Sequence, residues 1–253
     1  MASKIAAQLY TVRESCKTPE DLAVSLEKIA AMGYEAVQVS GVGPIEPADL
    51  RKLCDDNGLT ICATHIPFEE MADDPEGVIA RHDILGCKYP GIGGMGKAYH
   101  EGRRYVDFAR DASKVAEKLA EGGKVFIYHN HSWEFEKVGD RVILQIFAEE
   151  SDPRYFMFEP DTYWVQHGGA SPVAWINRLT GRVPVMHFKD MTMRGREQIM
   201  TEVGEGNLDW PGIVEACEAA GSEWYVVEQD TCQRDPFESL KMSFDNLKAM
   251  GVE

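Results

Sequence analysis

Short apolar runs rich in β-branched and aromatic residues recur along the chain, and between them the apolar positions switch to helical spacing. Eight such runs predict strands over 4–9 (KIAAQL), 35–39 (EAVQV), 59–64 (LTICAT), 87–92 (CKYPGI), 124–129 (KVFIYH), 155–159 (YFMFE), 183–188 (VPVMHF) and 224–228 (WYVVE). Runs apolar at nearly every position suit strands covered on both faces. The first helix opens at Thr18-Pro19, a Thr N-cap followed by Pro in the first turn, presents Leu22, Leu26 and Ile29 on one face, and stops at Gly33. Ser171-Pro172 and Asp235-Pro236 repeat that opening, ahead of Val173, Ile176 and Leu179 and of Phe237, Leu240, Phe244 and Leu247. Asp209 is placed to cap a helix holding Ile213, Val214 and Cys217, and the longest helix is predicted over 103–121. The glycine-rich stretch 91–102 (GIGGMGKAYHEG) reads as a loop and lacks the order of glycines that a dinucleotide site requires.

Regular alternation of strand and helix predicts a parallel sheet, and eight strands with right-handed crossovers close most simply into a (β/α)8 TIM barrel. The 253 residues fit one such domain over 1–253, with no Pro/Ser-rich linker to divide it. The net charge of −16 repels phosphate backbones and argues against a nucleic-acid partner. Six cysteines without a CxxC pair, no apolar leader at the N-terminus and no long apolar span lead to the expectation of a cytoplasmic protein with reduced thiols and no membrane partner. Homo-oligomerisation stays open.

The polar residues at the strand ends carry the chemistry. Glu134, Asp161, His187 and Glu228 stand at the ends of four successive predicted strands, and the top of a barrel gathers such positions at one mouth. Alternation puts Val183, Val185 and His187 on one strand face, Trp224, Val226 and Glu228 on another, and Met157, Glu159 and Asp161 on a third. A carboxylate aimed into a barrel must be paired, protonated or bound to a cation. Three carboxylates and an imidazole suit one divalent ion, with Mn²⁺ expected first and Mg²⁺, Co²⁺ or Zn²⁺ as alternatives. Helix caps and ordinary ion pairs are the competing explanation. The fifth strand leaves a choice: in Tyr128-His129-Asn130-His131, His129 is either a substrate contact or a ligand in place of Glu134, and His131 is a candidate for proton transfer. Glu159 is a candidate partner one layer deeper. His65, Lys189 and Arg194 are candidates for substrate contact, and Trp164, with Tyr10, Phe68 and Trp133, for an apolar wall against a sugar ring.

The segments YHNHSWEF (128–135), EPDTYWV (159–165), HFKD (187–190), VGEGNLDWPGI (203–213) and VEQD (227–230) resemble the xylose isomerase-like TIM-barrel superfamily, in its sugar phosphate isomerase/epimerase branch. The resemblance runs from the first strand to the last helix. It implies a single divalent ion held by Glu134, Asp161, His187 and Glu228, although many relatives carry the first Glu on the fifth strand itself, where this chain has the Tyr-His-Asn-His run. The implied activity is isomerisation or epimerisation by proton transfer next to the carbonyl of a small ketose or keto-sugar, with Glu134, Glu228 and His131 as the acid/base groups. Dehydration or cleavage of an inosose or 3-keto-glycoside through the same enediolate is the alternative, and a sugar-binding barrel without catalysis is a third reading. The loops after the last two strands, MTMRGREQIM and DTCQRD, lack a glycine-rich phosphate cradle, so an unphosphorylated substrate is expected.

Overall fold

The computed structural model describes residues 4–253. Eight parallel strands, β1 (Ile5–Gln8), β2 (Ala36–Val39), β3 (Thr60–His65), β4 (Tyr89–Ile92), β5 (Ile127–His129), β6 (Met157–Glu159), β7 (Val185–Phe188) and β8 (Trp224–Val227), form one sheet in the order β6-β5-β4-β3-β2-β1-β8-β7. A parallel bridge between Asp161 and His187, with the His187 amide donating to the Pro160 carbonyl at 3.0 Å, joins β6 to β7 and completes the (β/α)8 barrel. Seven of the eight barrel strands fall within a predicted run, and β3 runs one residue past its own, to His65.

The helices Pro19–Ala31, Pro47–Asp56, Pro75–Leu85, Tyr105–Glu121, Ile143–Glu150, Pro172–Arg178, Trp210–Ala220 and Pro236–Ala249 follow the strands in turn and form the outer layer. Five of them begin with Pro, whose fixed φ suits the first turn and whose missing N–H is not needed there. Thr18, Asp74, Ser171, Asp209 and Asp235 accept backbone N–H groups as N-caps. Alternation along the strands sorts the core into two clusters. The larger fills the space between sheet and helices, and the smaller, including Ala6, Ala36, Ala63, Ile127, Val185 and Val226, fills the barrel itself.

Two regions depart from the sequence reading. The 91–102 stretch is not wholly a loop: β4 runs into it and Lys97–Glu101 forms a short helix. The segment after β7 is a hairpin, Asp190–Arg194 paired antiparallel with Glu197–Thr201. Gly195 supplies the left-handed position of its two-residue turn at φ +63°. Asp190 anchors its base by accepting from the amides of Met191, Gly204, Gly206 and Leu208 and from Trp210 Nε1 at 2.6 Å. No helix among the described residues is long and apolar enough to cross a membrane.

Candidate metal and proton-transfer site

Two residues beyond the apolar plug, the axis-facing positions turn polar. Gln8, Gln38, His129, Glu159, His187 and Glu228 are all buried there. The period of two that buries Ile127, Val185 and Val226 and packs the partly buried Met157 against them therefore delivers His129, Glu159, His187 and Glu228 to the same axis one step higher. Asp161 follows β6 and does two jobs: Oδ1 accepts from the Trp164 amide at 2.9 Å and caps the helix Thr162–His167, while Oδ2 turns inward.

Ligating atoms of His129, Asp161, His187 and Glu228 lie within 4.8 Å of one another, all on buried residues. This buried cluster can hold a metal ion. Two imidazoles and two carboxylates are a donor set that suits a divalent first-row cation. His129 faces the cluster through Nε2, 3.2 Å from Asp161 Oδ2, while its Nδ1 is buried with no hydrogen-bond partner. Of the four ligand candidates, Asp161, His187 and Glu228 come together, and the fourth place is taken by His129. Glu134 lies outside this group. It is fully buried, accepting from the Tyr128 hydroxyl and from the His131 amide, both at 2.8 Å. Burial pushes its carboxyl up to about 8, against the lowering effect of those hydrogen bonds.

Charge in the cluster is partly offset from within. Lys189 Nζ sits 2.9 Å from Asp161 Oδ2, 2.7 Å from Glu228 Oε2 and 2.6 Å from Asp230 Oδ2, and is fully buried. His187 Nδ1 faces Glu228 Oε2 at 2.9 Å, and its Nε2 faces Gln38 Oε1 at 2.7 Å. Burial opposes protonation of His187, but Glu159 and Glu228 outweigh it and raise its pKa to about 10. Burial likewise opposes ionisation of Glu159 and Glu228, yet their neighbours hold both below the usual carboxylate range: His187 and His65 for Glu159, Lys189 and His187 for Glu228. Glu159 is thus tied on three sides, accepting from Gln38 Nε2 at 2.8 Å and meeting His65 Nε2 at 2.5 Å and His187 Nε2 at 3.3 Å.

A cavity of about 330 Å³ opens above the cluster, with Tyr10, His65, His129, His131, Glu228 and Asp230 among its walls. His131 is neutral at ordinary pH: burial pushes its pKa down to about 3, helped by His129 and Lys189, and Nδ1 has no partner. Trp164 packs beside His131, ring centroids 5.6 Å apart, and its face carries the Lys189 ammonium at 5.5 Å. Arg194 stands exposed on the hairpin and is not among the cavity-lining residues. Phe68 and Trp133 are also outside that lining.

Sequence reasoning passed over Gln38 and Asp230. Gln38 shares its strand face with Ala36, and a polar residue inside an apolar run was the available signal. Asp230 follows Glu228 by two in the VEQD segment, which puts both on one side.

Residues 26–250 match the xylose isomerase-like TIM barrel family. Among curated proteins, the chain is 24% identical to the inosose dehydratase of Geobacillus thermodenitrificans, covering 84% of each chain. It is also 24% identical to the rhizopine catabolism protein MocC of Rhizobium meliloti, covering 90% of this chain and 81% of the relative. Among solved structures, a sugar phosphate isomerase/epimerase from Parabacteroides distasonis superposes with a TM-score of 0.82 at 23% identity, over 100% of this chain and 96% of the other. An L-ribulose 3-epimerase superposes with a TM-score of 0.74 at 16% identity, over 100% and 95%.

Proposed function

Because the chain belongs to the xylose isomerase-like TIM barrel family, and because four buried metal-type donors meet beneath the mouth cavity, we propose that it is a divalent-metal-dependent isomerase or epimerase. Its reaction moves a proton at the carbon next to the carbonyl of a small keto-sugar. The converging donors of His129, Asp161, His187 and Glu228 are the observation that carries this reading. His129, Asp161, His187 and Glu228 would hold a divalent ion, Mn²⁺ being the first expected, and it would supply positive charge that acidifies the C–H next to the substrate carbonyl.

The chain's own groups do the rest. Glu228 lines the cavity, and both its close contacts, to Lys189 and to His187, fall on Oε2. That leaves Oε1 to take the proton. His131, neutral and with Nδ1 unpartnered, is the second proton carrier. Glu134 is a positioning residue: it fixes the His131 backbone from below and leaves the imidazole over the cavity. His65 is held by Glu159 and presents its ring to a sugar hydroxyl. The cavity walls contain two carboxylates and neither Lys nor Arg, which supports an uncharged sugar over a phosphorylated one.

Loss of a β-hydroxyl as water is the second reading, favoured by the curated relatives that carry the name inosose dehydratase. Both start with the same proton abstraction. Deuterium wash-in from D₂O, followed by NMR with Mn²⁺ and paired keto-sugars, tests the shared step and separates the outcomes. A deuterated epimer or isomer supports the first reading and an unsaturated ketone the second. Glu228→Gln and His131→Ala should each slow exchange by at least ~10²-fold. Exchange at the wild-type rate in both removes them from the mechanism.

A further inference from the structure

Beside the sugar cavity lies a second one of about 270 Å³, walled by Val39, Val42, Ile45, Leu50, Ile66 and Leu85. It sits between the loop after β2 and the helices Pro47–Asp56 and Pro75–Leu85. Ser40, His65 and Ile66 line both cavities. The two cavities are therefore neighbours across these three residues, and the second lies on the side toward which a substituent of the sugar would project. We propose that this chamber is a subsite for an aryl group joined to the keto-sugar, so that the enzyme acts on aryl-substituted sugars. The proposal rests on the reading above for where the sugar sits.

The chamber is preformed. Gly41 adopts φ +69°, and a Cβ there would meet the Tyr10 ring at 2.7 Å, so the loop is packed hard against the segment after β1. The Gly43 amide donates to the Cys16 carbonyl at 2.7 Å and fixes the loop again two residues on. His82, at the back wall, is fully used: one ring nitrogen meets Thr64 Oγ1 at 2.8 Å and the other the Val78 carbonyl at 2.7 Å. The apolar walls thus offer little to a hydroxylated second sugar. An apolar cavity of roughly 150 Å³ is enough to take a benzene ring. One polar group is left over. Arg81 Nη1 donates to Glu70, while Nη2 is buried without an acceptor. An acceptor on the ring of the occupant satisfies it.

Titration calorimetry on the full chain, with methyl, phenyl and 4-nitrophenyl β-D-glucopyranosides as probes, tests this. Phenyl should bind at least about tenfold tighter than methyl, the scale of burying one aromatic ring. Val42→Trp, or Ile45→Trp from the neighbouring wall, should remove that ratio by filling the chamber. The 4-nitro group should add a further gain that Arg81→Met alone abolishes. Equal affinity for methyl and phenyl, no measurable binding of the phenyl glycoside, or a phenyl advantage that survives both tryptophan variants overturns the subsite. Absence of the nitro gain overturns the role of Arg81. Deuterium wash-in with a bare keto-sugar reports on the proton-transfer reading independently. Wash-in without a phenyl advantage sinks the chamber alone, and a phenyl advantage without wash-in sinks the reaction alone.

Discussion

The barrel interior holds two layers separated by two residues on each strand, and they obey opposite rules. Below are Ala6, Ala36, Ile127, Met157, Val185 and Val226; directly above, on the same faces, are Gln8, Gln38, His129, Glu159, His187 and Glu228. The lower layer is stabilised by excluding water from apolar surface. The upper layer buries charge, which costs several kcal/mol per ion unless each charge is paired and hydrogen-bonded. It meets that cost with a closed set of partners: Lys189 against Asp161, Glu228 and Asp230, and His187 between Glu159 and Glu228. One layer thus serves stability, and the next, a single pleat away, holds the groups of the proposed chemistry. The lower one also lies beneath the cluster, on the side opposite the mouth cavity.

Single substitutions should break this division cleanly. The largest effect is expected for Asp161→Ala in the upper layer: loss of stoichiometric Mn²⁺ by elemental analysis and loss of proton exchange, with the far-ultraviolet circular dichroism of the barrel retained. Wild-type metal content in that variant would refute the ligand set. Ile127→Ala, directly below His129, should show the reverse. Truncating a fully buried Ile leaves a cavity and costs about 2–5 kcal/mol in denaturant unfolding, while metal content per folded chain stays at wild type. If Ile127→Ala also empties the metal site, the two layers are not separable.

His82 sharpens the comparison, because it is a polar residue buried in the apolar zone between sheet and helices. Burial pushes its pKa down to about 4 from 6.5, only partly offset by its bond to the Val78 carbonyl. The unfolded chain therefore binds a proton first as pH falls. The stability contributed by neutral His82 is fully present above pH 6.5 and is lost between 6.5 and about 4. On the order of 2 kcal/mol should disappear between pH 7 and about pH 5. His82→Gln should flatten that slope in urea titrations. An unchanged slope would show that acid lability comes from the mouth cluster instead.

The lower layer was legible in the sequence because a continuous apolar run states its own strand, and period two then aims the polar residue that follows. That logic placed Asp161, His187 and Glu228 together. It left the fifth strand open because Glu134 lies in a loop, where no period applies. The structure puts His129 on the face of Val125 and Ile127, and bends Glu134 back toward Tyr128. The hairpin after β7 was not legible. Its base is set by Asp190 gathering the amides of Gly204, Gly206 and Leu208, contacts that no local pattern announces. Lys189 was a candidate for touching substrate, yet its ammonium closes on three carboxylates from two separate segments, Asp161 after β6 and Glu228 with Asp230 after β8. Only the assembled barrel shows that convergence.

That ammonium gives the last and smallest expected effect. Lys189 engages Asp161 Oδ2 and Glu228 Oε2, on two of the proposed ligand residues. Its positive charge lets the carboxylates stay ionised in a folded barrel, and it also opposes any second cation brought to them. At an effective dielectric of about 20, a unit charge and a divalent ion roughly 4 Å apart repel by about 8 kcal/mol, and ligand reorganisation and displacement of the ammonium remove most of that. Lys189→Met should therefore tighten Mn²⁺ binding by about tenfold, roughly 1.4 kcal/mol, read by calorimetry at fixed pH. The metal-free variant should unfold at lower denaturant, because Asp161 and Glu228 lose their nearest counter-charge. Tighter metal with a weaker metal-free fold identifies Lys189 as the internal counter-ion of the upper layer. Weaker metal binding would instead make it an organiser of the ligands, and the upper layer would then depend on the lysine for geometry rather than for charge.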